Sequence, residues 1–168
     1  DDEDPQTVSS VPSHQSRIKR KQNVFGNHFI IGFTARRSEY PGDYIGVSIL
    51  ASDDTNVSII GTVSSKTWSY SAHIKGGERF DYKLPISLRM DKTTNLQNGI
   101  EILSTSDVSV LCLNYQNYGN GMDGYLALPT RSLGLVYVVA SYEPYSSIYK
   151  ANIIVISAHH NNTIIVYP

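Results

Sequence analysis

From Val24 onward the chain is a succession of short apolar runs with a period of two residues, separated by clusters of turn-forming residues. This alternation places apolar side chains on one face of an extended strand. No stretch shows the sustained 3.6-residue period of an amphipathic helix. We therefore predict an all-β fold. The predicted strands cover residues 28–34, 44–50, 56–63, 67–74, 78–84, 99–104, 108–115, 135–141, 152–158 and 163–167.

Two kinds of run indicate how these strands pack. Residues 56–74 alternate apolar and polar side chains, as a sheet with one wet face requires. Residues 108–113 and 153–156 are almost continuously apolar, which is typical of strands in the middle of a sandwich or on a sheet covered on both faces. We predict an antiparallel β-sandwich that is jelly-roll-like.

The connections and the chain end carry two further expectations. Segments 52–56, 75–77 and 104–107 have the length and composition of hairpin loops. The sequence stops directly after the predicted strand 163–167. We therefore expect residues 24–168 to be an incomplete fragment of a larger β domain.

Composition and charge exclude several functions. The 168 residues suffice for one domain with a sizeable core. A net charge of −1 offers no electrostatic attraction for nucleic acid, and no apolar run is long enough for membrane insertion. The single cysteine, Cys112, lies between Leu111 and Leu113. We predict a buried, unreactive thiol there.

Residues 1–23 have the composition of a disordered leader. They are acidic at first, then rich in serine and proline, and end in a basic cluster. Within that cluster Arg17, Lys19 and Arg20 resemble a proprotein-convertase processing site. A solvated polybasic linker is the alternative interpretation.

No group of residues predicts catalysis, a metal or a cofactor. His159 and His160 are adjacent, so in a strand their side chains point to opposite faces and do not share one ion. Residues 53–56 offer oxygen ligands of the kind that Ca²⁺ prefers, but the same residue types build turns, and we favour a turn. We predict that the chain is not an enzyme.

Two tyrosine-rich connections, 116–124 and 142–149, are the predicted contact surfaces. Tyrosine combined with asparagine and glycine is typical of adaptable recognition loops, and aromatic rings also stack on sugars. The alternative is that the rings only pack over the edges of the sandwich. The candidate binding residues are Tyr115, Tyr118, Asn120, Asp123, Tyr125, Tyr142, Tyr145 and Tyr149. Two N-x-[ST] sequons make Asn56 and Asn161 candidate glycosylation sites.

Several motifs of the chain carry a family resemblance. They are GIEI at 99–102, SDVSV at 106–110, DGYLALP at 123–129, LGLVY at 133–137 and NNTIIV at 161–166. Together they resemble the N-terminal domain of IgG Fc-binding protein, a family shared by secreted mucus and adhesive proteins and by some bacterial surface proteins. The resemblance covers roughly residues 24–168. The stretch from DGYLALP to LGLVY is its most specific part.

The resemblance implies an extracellular, non-catalytic module of a mucus-associated or adhesive protein that binds protein or glycan, with flanking domains in a longer chain. Binding of IgG Fc is not carried over, because these residues contain no Fc-contact motif. A purely structural spacer is the alternative hypothesis. A third hypothesis, an accessory domain of a carbohydrate-active enzyme, requires two carboxylates facing each other across a groove.

Overall fold

The computed structural model describes residues 24–35, 40–63, 66–90, 98–117, 121–140, 153–158 and 162–166. The fold is all-β, as the alternation predicted. The strands are β1 (Gly26–Ile31), β2 (Phe33–Thr34), β3 (Tyr44–Ala51), β4 (Thr55–Val63), β5 (Lys66–Ile74), β6 (Arg79–Leu84), β7 (Arg89–Met90), β8 (Ile100–Gln116) and β9 (Gly121–Leu126). Two short 3₁₀ helices, η1 (Ile86–Leu88) and η2 (Thr130–Ser132), lie between them.

One long strand, β8, organises a seven-stranded antiparallel sheet. Along one edge, the first half of β8 pairs with β4 and the second half with β3. Along the other edge, the first half pairs with β1 and the second with β9. β5 and β6 extend the sheet beyond β4 and β3. The curled sheet therefore has a first layer, β1-β8-β4-β5, and a second layer, β9-β8-β3-β6.

β8 passes from one layer to the other where hydroxyl side chains replace ladder hydrogen bonds. The Thr55 hydroxyl oxygen accepts the Ser106 N–H at 3.0 Å. The Thr105 hydroxyl oxygen accepts the Asn56 N–H at the same distance, and the Ser104 hydroxyl donates to the Ser106 carbonyl at 2.7 Å. Short hydroxyl side chains can satisfy neighbouring backbone groups in this way, so the strand bends without leaving polar groups unpaired.

The prediction of hairpin loops at three segments is wrong. Segments 52–54 and 75–78 carry β3 into β4 and β5 into β6, which do not pair with each other. Segment 104–107 lies inside β8. These segments have the composition of turns because they form corners between layers, where the backbone needs the same local hydrogen bonds and, at Gly77 (φ 80°), the same conformational freedom.

The C-terminal part of the strand prediction is also wrong. In the predicted strands 135–141, 152–158 and 163–167, the described residues are not in strands. Conversely, β9 occupies much of the segment that was predicted to be loop 116–124, because its glycines concealed the strand pattern.

The concave face of the curled sheet is the core. Side chains of one parity point inward along the whole of β8, and those of β3 and β4 face them. The largest fully buried side chains include Phe29, Ile45, Ile49, Ile59, Ile100, Ile102, Val108 and Val110. Cys112 is also fully buried, as predicted. Burial raises the pKa of its thiol to about 12, although the hydrogen bond with Tyr125 opposes this, so the thiolate is not formed near neutral pH.

Aromatic residues bridge the layers where no backbone hydrogen bonds do. On one side, Trp68 and Tyr70 of β5 stack with Phe80 and Tyr82 of β6, and the Tyr70–Tyr82 ring centroids are 4.1 Å apart. On the other side, the Tyr125 hydroxyl of β9 reaches the backbone at the end of β1. Stacked aromatic pairs contribute about 0.5–1.5 kcal/mol each beyond area burial, so these contacts stabilise the closed sandwich.

Two adjacent residues of β8 test which of its side chains face the core and which face solvent. Ile102 is fully buried, whereas Leu103 is 38% exposed. We expect Ile102→Ala to lower the free energy of unfolding by about 2–5 kcal/mol, because it leaves a cavity in the core. Leu103→Ala is the matched control and should cost less than about 1 kcal/mol. Urea unfolding monitored by fluorescence of the single tryptophan measures both; equal losses would reject the assigned faces.

Candidate interaction face

The outer face of the first layer is mostly polar, although Leu103 is exposed on it. The hydroxyl oxygens of Ser58 and Ser71 lie 3.2 Å apart across β4 and β5. His28 Nε2 lies 2.8 Å from a carboxylate oxygen of Glu101 across β1 and β8. This is the surface expected of an antiparallel sheet whose outer face contacts water.

The outer face of the second layer carries more exposed apolar side chains, although Ser48 and Ser109 also lie on it, opposite Leu111 and Leu50. We call the following residues the apolar face: Leu50, Leu111, Leu113, Tyr115, Met122 and Leu126. Leu111 lies opposite Leu126 and Tyr115 opposite Met122. Leu50, Leu111 and Leu126 are 40–46% exposed and Met122 is 63% exposed. The two outer faces of one sheet therefore differ in chemistry.

Two glycines in the neighbouring strands leave the centre of the apolar face without projecting side chains on either side of Leu113. Gly46 and Gly124 lie on either side of Leu113 in the sheet register. A Cβ atom at Gly46 would lie 2.8 Å from the Tyr82 carbonyl oxygen, and one at Gly124 would lie 3.1 Å from the Cys112 carbonyl oxygen. Side chains are therefore unfavourable at both positions, and the apolar face is accessible to a broad, flat partner.

One end of the apolar face is aromatic. The Tyr115 ring stacks on the Tyr44 ring with centroids 5.0 Å apart. Lys83 Nζ lies 4.5 Å from the centroid of the Tyr44 ring, within the range of a cation–π interaction. Tyr115, a predicted binding residue, is thus held on the outer face of the sheet.

A buried ion pair anchors this end. The Arg89 guanidinium, only 1% exposed, donates to the carbonyls of Tyr44 at 3.2 Å and Tyr115 at 2.9 Å, and it lies 3.5 Å from the Asp43 carboxylate. Asp43 also accepts the Asn117 N–H at 2.8 Å. That hydrogen bond, followed by smaller contributions from the Tyr40 N–H and the Arg89 charge, lowers the pKa of Asp43 below its usual value, although desolvation opposes the shift.

The lowered pKa of Asp43 predicts a pH dependence. A carboxylate whose pKa is lower in the folded than in the unfolded chain stabilises the fold above the unfolded pKa of about 4. This stability is lost as the pH falls through the folded value. We expect Asp43→Asn to reduce the melting temperature at pH 7 and the difference from wild type to shrink below about pH 4. Thermal unfolding between pH 7 and pH 3 measures this, with the exposed Asp81→Asn as control; a difference independent of pH would refute it.

Tyr125 points away from the apolar face. Its hydroxyl donates to the Gly32 carbonyl at 2.8 Å and accepts the Gly32 N–H at 3.2 Å. Burial raises the pKa of this phenol. The ring centroid of Phe33 lies 6.3 Å away. Tyr125 therefore bridges the two layers, and its hydroxyl is already hydrogen-bonded.

The remaining predicted residues divide between the sheet and the undescribed segments. Asp123 is exposed on β9, opposite Asn114. Asn56 is exposed on β4, and its Oδ1 lies 3.0 Å from His73 Nδ1. In the predicted turn 53–56, Asp54 accepts the Gly76 N–H at 2.8 Å. The following lie outside the described residues: Arg17, Lys19, Arg20, Tyr118, Asn120, Tyr142, Tyr145, Tyr149, His159, His160 and Asn161.

Sequence reasoning missed most of the apolar face. The run 108–113 indicated a strand in the middle of a sandwich or one covered on both faces, whereas the described residues cover only one of its faces. The continuous run was itself the available signal, since Leu111 and Leu113 alternate with the buried Val110 and Cys112. Among the described residues, this strand is therefore apolar on both sides but buried on one.

Comparisons with known proteins do not identify a family. No family model matches the sequence, and no curated protein matches it. The crystal structure of Thermotoga maritima 1070 aligns with 60% of this chain and 91% of its own, at 13% identity and a TM-score of 0.40. Within the described residues, no helix has the length and apolarity needed to cross a membrane. The same residues contain no cluster of three or more metal-ligating side chains.

Proposed function

We propose that this chain is a non-catalytic interaction module of an extracellular protein and that it binds a protein partner on the apolar face. The observation that carries the proposal is the contrast between the two outer faces of one sheet. The first layer presents mostly hydroxyl, amide and imidazole groups to water, with Leu103 among them. The second layer presents leucine, methionine and tyrosine at most of the outward positions of β3, β8 and β9, with Ser48 and Ser109 among them.

The composition and shape of the apolar face support a protein ligand. Contiguous apolar surface on a soluble protein commonly marks an interaction site. Tyrosine and methionine are enriched at interfaces, whereas glutamate and lysine are depleted. Among the described residues of the second layer, the charged outward side chains lie on the border strand β6, where Arg79 and Asp81 form an exposed ion pair at 2.9 Å. An apolar centre with a polar rim is the usual arrangement of a protein–protein contact.

The extracellular setting is supported by the sequence. The resemblance to the N-terminal domain of IgG Fc-binding protein favours a secreted mucus-associated or adhesive protein. The candidate glycosylation site Asn56 belongs to the polar outer face of the first layer. A glycan there would project from the layer opposite to the apolar face. Modification and partner binding are therefore compatible.

Binding to purified mucin glycoprotein tests this function. We expect the wild-type chain to bind immobilised mucin and Leu111→Lys to weaken binding at least about tenfold, since a charge in the centre of an interface costs more than 1.4 kcal/mol. Ser71→Lys places the same charge on the polar face and is the matched control. Biolayer interferometry measures both variants before and after enzymatic deglycosylation of the mucin.

The outcomes separate protein from glycan recognition. Retained binding to deglycosylated mucin supports a protein partner. Binding that disappears with the glycans, a Leu111→Lys variant that binds like wild type, or a wild-type chain that binds no mucin would each overturn the proposal as stated.

A further inference from the structure

A second apolar surface follows the sheet in sequence. Residues 135–139, which we call the apolar arm, have the sequence LVYVV and no charged side chain. Leu135 is 102% exposed, Val138 96% and Val136 87%. Tyr137 and Val139 are also exposed, at 60% and 58%. The arm exposes on the order of 700 Å², close to the roughly 800 Å² that one partner contributes to a standard interface.

The start of the apolar arm is anchored. Arg131 of η2 donates to the Asp107 carboxylate at 2.6 Å and to the Phe25 carbonyl at 2.8 Å. The Gly134 N–H donates to the Tyr137 hydroxyl at 2.9 Å. The arm therefore leaves a fixed point at the corner of the sandwich, a few residues after the end of β9.

We propose that the chain forms a two-fold dimer in which the apolar arm of each copy lies on the apolar face of the other. This inference rests on the proposed function and gives the apolar face a second occupant, another copy of this chain, which would compete with mucin for the same surface. Leu135, Tyr137 and Val139 have one parity, and Val136 and Val138 have the other. An extended arm is thus apolar on both sides, so whichever side turns toward the other copy can pack on its apolar face.

Charge supports a second copy as the occupant. The apolar arm and the apolar face carry no charged side chains, so bringing identical copies together creates no like-charge contact at the centre. The border on β6 carries both signs, with Asp81 between Arg79 and Lys83. Two copies related by a two-fold axis can therefore pair Asp81 of one with a cation of the other.

Complementation between two variants tests the dimer. Val138→Glu disables the arm and Leu111→Lys disables the face; both positions are exposed, so neither charge is forced into the core. We expect the wild-type chain to be a dimer in size-exclusion chromatography with light scattering at about 50 µM, and each variant to weaken dimerisation at least about tenfold. Ser71→Lys is the control and should remain dimeric. Mixing the two variants should restore a heterodimer, because the intact arm of one meets the intact face of the other and the two altered positions bring a glutamate against a lysine.

Each other outcome refutes the inference. A monomeric wild type at 50 µM overturns it but leaves mucin binding by the apolar face as an independent result. Dimers that survive Val138→Glu indicate face-to-face pairing without the arm. Dimers that survive Leu111→Lys indicate pairing of arms alone. Large aggregates contradict reciprocal arm-on-face contact. The same conclusion follows if the mixed variants fail to associate although the near-ultraviolet circular dichroism of both shows that they are folded like wild type.

Discussion

The backbone ladder of β8 is the constraint on which the rest of the structure depends. Over its 17 residues this strand hydrogen-bonds to β1 and β9 on one edge and to β4 and β3 on the other. Both layers therefore share one strand, and their relative placement follows from its bend. The hydroxyls of Thr55 and Thr105 make that bend possible, because they accept backbone N–H groups that the ladder leaves unpaired there.

The side chains of the shared strand β8 contribute to three different parts of the molecule: the core and the two outer faces. Its inward side chains fill the core. In the first layer its outward side chains include Glu101, which lies beside His28 of β1, and the exposed Leu103; in the second layer they include Leu111 and Leu113. The buried pair of Arg89 and Asp43 secures the ends of β3 and β8 beneath the Tyr44–Tyr115 stack. Scaffold and candidate interaction face are thus built from the same strands.

The sequence predicted the all-β class, most strands before residue 117 and the buried thiol of Cys112, because period-two alternation reports burial directly. It did not predict the corners, since serine, threonine and glycine at 104–107 and 75–78 serve bends and hairpins equally well. It also failed at residues 135–140, where strong β propensity meets no pairing edge among the described residues. High β propensity shows that a segment would fit into a sheet. A strand forms, however, only where a neighbouring strand offers backbone groups to pair with. For the candidate site, Tyr115 was predicted, but the leucines around it were not.

Native-state hydrogen exchange along β8 tests the central claim most directly. If one strand holds both layers together, the ladder amides of Ile102 in the first layer and Leu111 in the second should exchange only through global unfolding. Their opening free energies should then agree within about 1 kcal/mol and fall together with added denaturant. Markedly different opening free energies at these two amides, or different denaturant dependences, would show that the layers unfold independently and would contradict this account.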